Sequence, residues 1–346
     1  MGFFSSPESY LGIDIGSTNI KIVELQKDGK QAKLLTYGFS ENITTIRSDW
    51  QSDSVYAAKI INKICNQAHI KSKNAIAALP TFSVFTSIIN LTNVDTKNLA
   101  AAVSWEAKKV IPLPLEEMIL DWKIIKEPVK TPSNNVKVLL TGAPQVLVKK
   151  YIDIFKAAQI NLLSLETETF SLIRSLLGNN TSTMMIVELG ANTTDISIVD
   201  NSLPVLNRSI DVGGDTITKA IANHLGIGIE RAEQFKYDLG VGLIDSQEDI
   251  VPKIIIETIS PILNEIKYAI NLYQNKSNKK TEKIILSGGS SLLPNLVNYI
   301  SQTLNINVII GDPWARIAYP EDLRPLLHEI GPSMSVAIGL AMREIE

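Results

Sequence analysis

Apolar residues along this chain fall into short runs of strand length, broken by turn residues and by longer stretches of helical spacing. The first run, Tyr10 to Leu25, is interrupted by Asp14-Ile15-Gly16-Ser17-Thr18-Asn19 and resumes through Ile20, Ile22 and Val23. Met184 to Val199 repeats the plan, with a strand, then Glu188-Leu189-Gly190-Ala191-Asn192-Thr193-Thr194, then Ile196, Ile198 and Val199. Each stretch predicts a tight hairpin with an acid at the end of the incoming strand and a glycine two places on. Glycine is expected there for the backbone angles such a turn requires. Two alike hairpins about half a chain apart predict two related lobes that face each other.

Between the hairpins, Ala75–Leu79 reads as a buried strand stopped by Pro80. Residues 96–110 carry Leu99, Ala102, Val103 and Val110 on one helical face, and Pro112 ends that helix because proline disfavours helix in the residue before it. Strands are expected at 118–125 and 136–143 around a turn cluster at 130–135, followed by an amphipathic helix over 145–159 and a strand at 162–165. These elements make 84–162 an α/β insertion within a first lobe built from 8–83 and 163–182, with a C-terminal helix over 333–346 packing back onto it. The second lobe spans 183–346, one part from 183–218 and 284–332, the other from 219–283. In it, Asp215-Thr216 is expected to cap a helix, 230–239 forms another that stops at Gly240, and 251–275 forms a long helix adjusted at Pro261.

Composition narrows the chemistry. A chain of 346 residues with 45% hydrophobic and 20% charged residues can bury a large core. A formal charge of −3 argues against a general nucleic-acid partner, and the lysine-rich stretch 275–283 lacks the interleaved aromatics of a single-strand binder. The single cysteine, Cys65, excludes an internal disulfide framework and reads as core filler in a reducing compartment. His69, His224 and His328 lack metal-ligand spacing. No stretch approaches the ~18 apolar residues of a membrane span, so a membrane is expected only through a partner.

Turns rich in Gly, Ser and Thr offer N–H groups and hydroxyls to phosphate oxygens, and an acid at the root can hold Mg²⁺, usually through water. Two such hairpins can grip a polyphosphate from both sides. A strand running into Gly288-Gly289-Ser290-Ser291 completes an ordered set. Each residue also has a plainer reading. Glu188 is otherwise a strand-end acid, Lys21 a solvent-facing strand residue, Asp195 a hydrogen-bonded turn acid, and Glu233 with Lys236 a surface ion pair at i, i+3.

Asp14-Ile15-Gly16-Ser17-Thr18 resembles the first phosphate loop of the actin and FtsA superfamily, and Glu188 to Asp195 resembles its second. The resemblance implies an α/β, actin-like (ribonuclease H-like) fold of duplicated lobes with an FtsA-type inserted subdomain, in the order 1A, 1C, 2A, 2B. It implies ATP with Mg²⁺ as cofactors. Nucleotide contacts would come from Gly16, Ser17, Thr18, Asn19 and Lys21 in the first loop and from Gly190, Ala191, Asn192, Thr193 and Thr194 in the second. Gly213, Gly214 and Asp215 match the segment that follows, Glu233 and Lys236 the positions facing ribose and adenine, and Gly288, Gly289, Ser290 and Ser291 the adenosine motif. Mg²⁺ would lie by Asp14, Glu188 and Asp195, through water. Glu168 aligns with the position that orients water in chaperone-type relatives, which makes it the candidate catalytic base. Glu188 stands where the pattern usually has Asp, which leaves turnover of ATP open.

The segment from Trp105 through Ile111-Pro112-Leu113-Pro114 to Trp122, and Glu168-Thr169-Phe170 to Leu176, are similar to the PilM family. That resemblance implies a cytoplasmic scaffold of the type IV pilus inner-membrane alignment complex. Its partner would be the cytoplasmic N-terminal tail of a PilN-type membrane protein, held in a groove between 1A and 1C with Trp105 as a candidate wall. Other pilus proteins, such as the assembly ATPase, are further candidate partners. Filament-forming relatives and sugar or acetate kinases of the superfamily are the alternatives to a scaffold.

Overall fold

A computed structural model describes residues 8–29, 31–40, 53–92, 94, 98–125, 135–242 and 250–345. The turn cluster expected at 130–135, its last residue excepted, and residues 96–97 of an expected helix lie outside them. The chain begins with a three-stranded meander, β1 (Ser9–Ile15), β2 (Ile20–Asp28) and β3 (Gln31–Phe39), followed by α1 (Ser54–Gln67) and β4 (Asn74–Leu79). Asp53 caps α1 by accepting from the N–H groups of Val55 and Tyr56 at 3.1 and 3.0 Å, and the helix buries Ala58, Ile61 and Cys65. Next come β5 (Phe85–Leu91), α2 (Leu99–Val110), β6 (Met118–Ile124) and β7 (Val136–Pro144), which form a separate three-stranded sheet in the order β5-β7-β6. Val103 and Ala107 of α2 pack on Val138 and Leu140 of that sheet, so the insertion owns a small core.

The chain returns through α3 (Gln145–Ala158) to β8 (Asn161–Thr167) and α4 (Glu168–Leu172), which a single π turn continues over Ile173–Leu177. The second lobe begins with β9 (Met184–Leu189), β10 (Thr194–Asp200) and β11 (Leu203–Ile210). Helices α5 (Gly214–Leu225), α6 (Ile229–Leu239) and α7 (Ile250–Ser277) lead to β12 (Lys283–Ser287), α8 (Leu296–Leu304) and β13 (Asn307–Ile310). A two-residue strand β14 (Ile317–Ala318) and the helix α9 (Arg324–Met342) close the chain.

The strand orders reveal a duplication. The first lobe runs β14-β3-β2-β1-β4-β8 and the second β11-β10-β9-β12-β13. Setting β14 aside, both have an antiparallel meander joined to two parallel strands. Parallel neighbours require a crossover, and helices supply it, α3 between β4 and β8 and α8 between β12 and β13. This corrects the expected insertion boundary. The apolar face of α3, with Tyr151, Ile154 and Phe155, packs with Ala57 and Ile61 of α1 inside the first lobe, so the inserted unit ends at β7. A second correction concerns β14, which was expected in the second lobe. It pairs with β3 at Ala32 and Lys33, and Trp314 packs with Val23, Leu25 and Leu34 of the first lobe.

Helix α9 spans both units. It lies on β1 so closely that a methyl group at Gly12 would overlap the Ala337 carbonyl, and one at Gly339 would overlap that of Ser171 in α4. Ile76, Leu172, Ile186, Val199, Val336 and Leu340 form a joint core beneath the two lobes. Replacing Gly12 by Ala is expected to cost about 2 kcal/mol or more, by overpacking against backbone. Gly228→Ala, which meets open space, is expected to stay within ~0.5 kcal/mol. Urea denaturation of the two variants checks the contrast, and equal stabilities would refute the close packing.

Candidate functional site

The two hairpins share one geometry. The Gly16 N–H donates to the Asn19 carbonyl at 3.0 Å, and the Gly190 N–H donates to the Thr193 carbonyl at 3.0 Å. Neither glycine has positive φ, contrary to expectation. Closeness is the reason instead: an added Cβ would stand 3.1 Å from the Asn19 oxygen at Gly16 and 2.9 Å from the Thr193 oxygen at Gly190. Below each turn, the residues facing across the hairpin are equivalent, Asp14 opposite Lys21 and Glu188 opposite Asp195. In the first lobe that pair neutralises itself, with Lys21 Nζ 3.0 Å from Asp14 Oδ2. In the second lobe it is two acids.

Glu168, at the start of α4, brings a third acid. Carboxylate oxygens of Glu168, Glu188 and Asp195 all lie within 4.8 Å of one another. Glu188 Oε2 is shielded from solvent and has no hydrogen-bond partner. Burial, and then repulsion from Asp195 and Asp14, push the Glu188 carboxyl up to about 8, with Lys21 opposing. Burial lifts Asp195 to about 6, against hydrogen bonds from Ser209 and Thr193. Burial followed by Glu188, Asp195 and Asp14 raises Glu168 well above the carboxylate range, with the Thr81 N–H opposing. Burial works against the charge on Lys21, but Asp14, Glu188 and Glu168 together outweigh it and hold that ammonium.

This donor set fits a hard divalent cation, which takes oxygen ligands and would satisfy the orphaned Glu188 oxygen. Glu168, expected as a base, joins Glu188 and Asp195, whereas Asp14 is engaged by Lys21 and acts on the cluster through its charge.

The second loop is stitched to its neighbours. Gly214 N–H donates to the Gly190 carbonyl at 2.9 Å, and Asp215 N–H to the Ala191 carbonyl at 2.8 Å. The N-cap of α5 is Gly213, not the expected Asp215-Thr216, and the Thr216 hydroxyl accepts from the Gly213 N–H at 3.2 Å. Ser290 Oγ stands 3.5 Å from the Gly190 carbonyl. Gly288 adopts φ +82°, and a Cβ there would overlap Leu189, so the adenosine-motif turn lies directly against the second hairpin. Thr194 spends its hydroxyl on the Val212 carbonyl at 2.6 Å, and Ser291 spends its own on Gly288 at 2.7 Å.

Lys236 is 2% exposed and donates to Glu233 Oε2, Thr218 Oγ1 and the Gly214 carbonyl at 2.7, 2.9 and 3.3 Å. Those bonds use its three donors, so Lys236 clamps α6 to the start of α5, while Glu233 remains half-exposed. Between the lobes opens a cleft of about 560 Å³, lined by Asn19 and Lys21 from the first, Tyr237 and Gly289 from the second, and Ser333 and Met334 from α9. Ser17 and Ala191 are half-buried, Thr18 is buried and Asn192 is exposed at the loops that flank it.

A second groove, about 390 Å³, separates the insertion from the first lobe. Its walls include Ile119 and Trp122 of β6, Leu165 of β8, Phe170 of α4, Arg174 of the π turn after it, and Arg343 beyond α9. Strands β6 and β8 are each the outer strand of their sheet. Arg174 grips Glu166 through both nitrogens at 2.7 and 3.0 Å, and Arg343 Nη1 is a shielded donor without a partner. Trp105, the expected groove wall, is 67% exposed and lies outside this lining.

The sequence model of the family described as type IV pilus assembly protein PilM matches residues 12–345. The chain belongs to the PilM family. A solved PilM-PilN type IV pilus biogenesis complex is 22% identical, covers 99% of this chain and 100% of its own, and superposes with a TM-score of 0.84. MreB5 of Spiroplasma citri bound to AMPPNP covers 97% of the chain and 95% of its own at 13% identity, with a TM-score of 0.56. FtsA of Bacillus subtilis is 20% identical across 88% of this chain and 79% of its own length. The PilM-family fold is therefore actin-like and FtsA-related. Among its described residues, no helix is long and apolar enough to cross a membrane.

The acid cluster sets a pH dependence. Asp195 and Glu188 keep protons in the folded PilM-family chain that the unfolded chain loses near 3.8 and 4.5. Their stabilisation is full below those ordinary values and is lost as pH rises through about 6 for Asp195 and about 8 for Glu188. Thermal melts in EDTA should therefore show wild type losing on the order of 2 kcal/mol more than Glu188→Gln as the buffer moves from mildly acidic to mildly alkaline. Parallel losses in the two proteins would contradict the burial of this group.

Proposed function

We propose that this chain is an ATP-binding scaffold of the type IV pilus machinery, holding ATP·Mg²⁺ between its lobes and the N-terminal tail of a PilN-type protein in the groove beside the insertion. One observation carries the nucleotide half. The charges of Asp14 and Lys21 on one hairpin both bear on Glu188 of the other, and Lys21 lines the interlobe cleft. Lys21 and the Ala191 N–H supply positive charge and a donor for phosphate oxygens. Glu168, Glu188 and Asp195 would hold the cation, which supplies charge neutralisation between acids and phosphates. Glu233, Gly288 and Gly289 border the place for ribose and base, supported by the clamp that Lys236 provides.

The partner half rests on the groove together with family membership and the solved PilM-PilN likeness. Its two outer strands present unpaired backbone groups, and its apolar walls suit aliphatic side chains on an extended tail. Arg343, with one donor unspent, suits a carbonyl or carboxylate of the same tail. Two sites on one chain, one for nucleotide and one for a tail arriving from the membrane, describe a scaffold tied to the inner face of the membrane by its partner.

Calorimetric titration with Mg·ATP tests the cleft. Binding in wild type and a loss of about 1.5–3 kcal/mol in Lys21→Ala are expected, the range for hydrogen bonds to charged groups. Absence of binding to wild type at millimolar nucleotide would refute this half. For the groove, Phe170→Asp is expected to weaken binding of a fluorescent PilN-type tail peptide by about 2 kcal/mol or more. Its affinity for Mg·ATP should stay close to that of wild type. Unchanged peptide anisotropy in the variant would place the tail elsewhere.

A further inference from the structure

The groove and the acid cluster meet at two short segments. In the first, the 3-10 turn Thr81–Ser83 follows β4 at the root of the insertion. Leu79 and Val84, on either side of it, line the groove. In the second, Thr167, Phe170 and Arg174 line the groove, and Glu168 lies among them in sequence. Thr81 and Glu168 lie outside that lining and bond to each other. The Thr81 N–H and hydroxyl both donate to Glu168 Oε2, at 2.8 and 3.1 Å, while carboxylate oxygens of Glu168 meet Glu188 and Asp195 in the acid cluster.

The contact extends into the second lobe. Thr81 Oγ1 lies 3.4 Å from Thr169 Oγ1, which lies 3.4 Å from Ser197 Oγ on β10, and all three residues are buried. Strand β11, next to β10, touches both the 81–83 turn and β5 of the insertion. Helix α4 has little freedom of its own, because Arg174 donates to the Gly339 carbonyl at 2.6 Å and Gly339 packs against Ser171.

From this arrangement we infer that Thr81 is a positioning residue that couples the two sites: its paired hydrogen bonds to Glu168 carry the state of the acid cluster to the root of the insertion and so to the groove. The inference rests on the nucleotide and tail sites proposed above and adds the link between them. Without a cation, three acids within 4.8 Å repel one another. Were a cation held by Glu168, Glu188 and Asp195, the Glu168 carboxylate would be fixed beside the other two. A carboxylate held in one place keeps both Thr81 donors on the same oxygen. The turn at 81–83 then takes one position, and with it the groove walls at Leu79 and Val84. Magnesium nucleotide should therefore tighten tail binding, and linkage requires the tail to tighten nucleotide binding by the same factor.

The test measures fluorescence anisotropy of a PilN-type N-terminal tail peptide on the full chain, with and without Mg·AMPPNP, in wild type, Thr81→Val and Thr81→Ser. The readout is the ratio of the two peptide affinities, so a uniform loss of affinity in a variant cancels. Wild type is expected to show a ratio of about ten, Thr81→Ser to keep it, and Thr81→Val to bring it below about three. A ratio in Thr81→Val equal to that of wild type overturns the inference.

A wild-type measurement keeps the inference testable should Thr81→Val fail to fold. Mg·AMPPNP should slow hydrogen exchange of the Thr81 amide by at least tenfold, and unchanged exchange overturns the coupling. Binding of both ligands by wild type with a ratio of one also overturns the coupling while leaving the two sites intact. Failure to bind either ligand overturns the proposed function and the coupling with it.

Discussion

Three carboxyl groups, Asp195 buried and Glu168 and Glu188 half-buried, bring an oxygen each within 4.8 Å of the others where two lobes meet, and they dominate the physics of this molecule. Burying one carboxylate is costly, and burying three together without a counter-charge is more so. The fold meets this in part by protonation, visible in the upward shifts of Glu168, Glu188 and Asp195, and in part by donors from Thr81, Ser209 and Lys21's field. A divalent cation meets it more fully. Each lobe contributes, Glu168 from the first and Glu188 with Asp195 from the second, so whatever neutralises the cluster also ties the lobes together.

The duplication explains why the site is asymmetric. Both lobes place a residue pair across the hairpin below a Gly-initiated turn, and the first lobe uses Lys21 where the second uses Asp195. One hairpin thus carries an acid paired with a lysine and the other carries two acids. The insertion interrupts the first lobe between β4 and its crossover helix α3, at the turn that Glu168 holds. A loop elsewhere on the lobe would not have put the groove against the acids.

The hairpins were legible in the sequence because their signal is local: an acid, a glycine two places on, and strand-like alternation on both sides. Helices ending at Ile111 and Gly240 were legible for the same reason, through Pro112 and a glycine at φ +56°. The allegiance of α3 was not. Its amphipathic face says that it packs on something, and only the parallel pairing of β4 with β8 says on what. β14 escaped because two residues at a sheet edge carry no periodicity. Glu168 could be singled out by resemblance, but its meeting with Glu188 and Asp195 depends on how α4 enters beneath the second hairpin. Spacing pairs Lys236 with Glu233, but its burial against Gly214 and Thr218 depends on how α6 packs on α5.

The central claim is that one divalent cation closes the carboxyl cluster from both lobes. The loss of the free Mn²⁺ electron paramagnetic resonance signal, titrated against the full chain with AMPPNP, tests it directly. The account predicts one tightly held ion per chain beyond what nucleotide alone retains, weakened at least tenfold, about 1.4 kcal/mol, by Glu188→Gln. Retention of Mn²⁺ at the level of free AMPPNP, or equal retention by wild type and the variant, would contradict it.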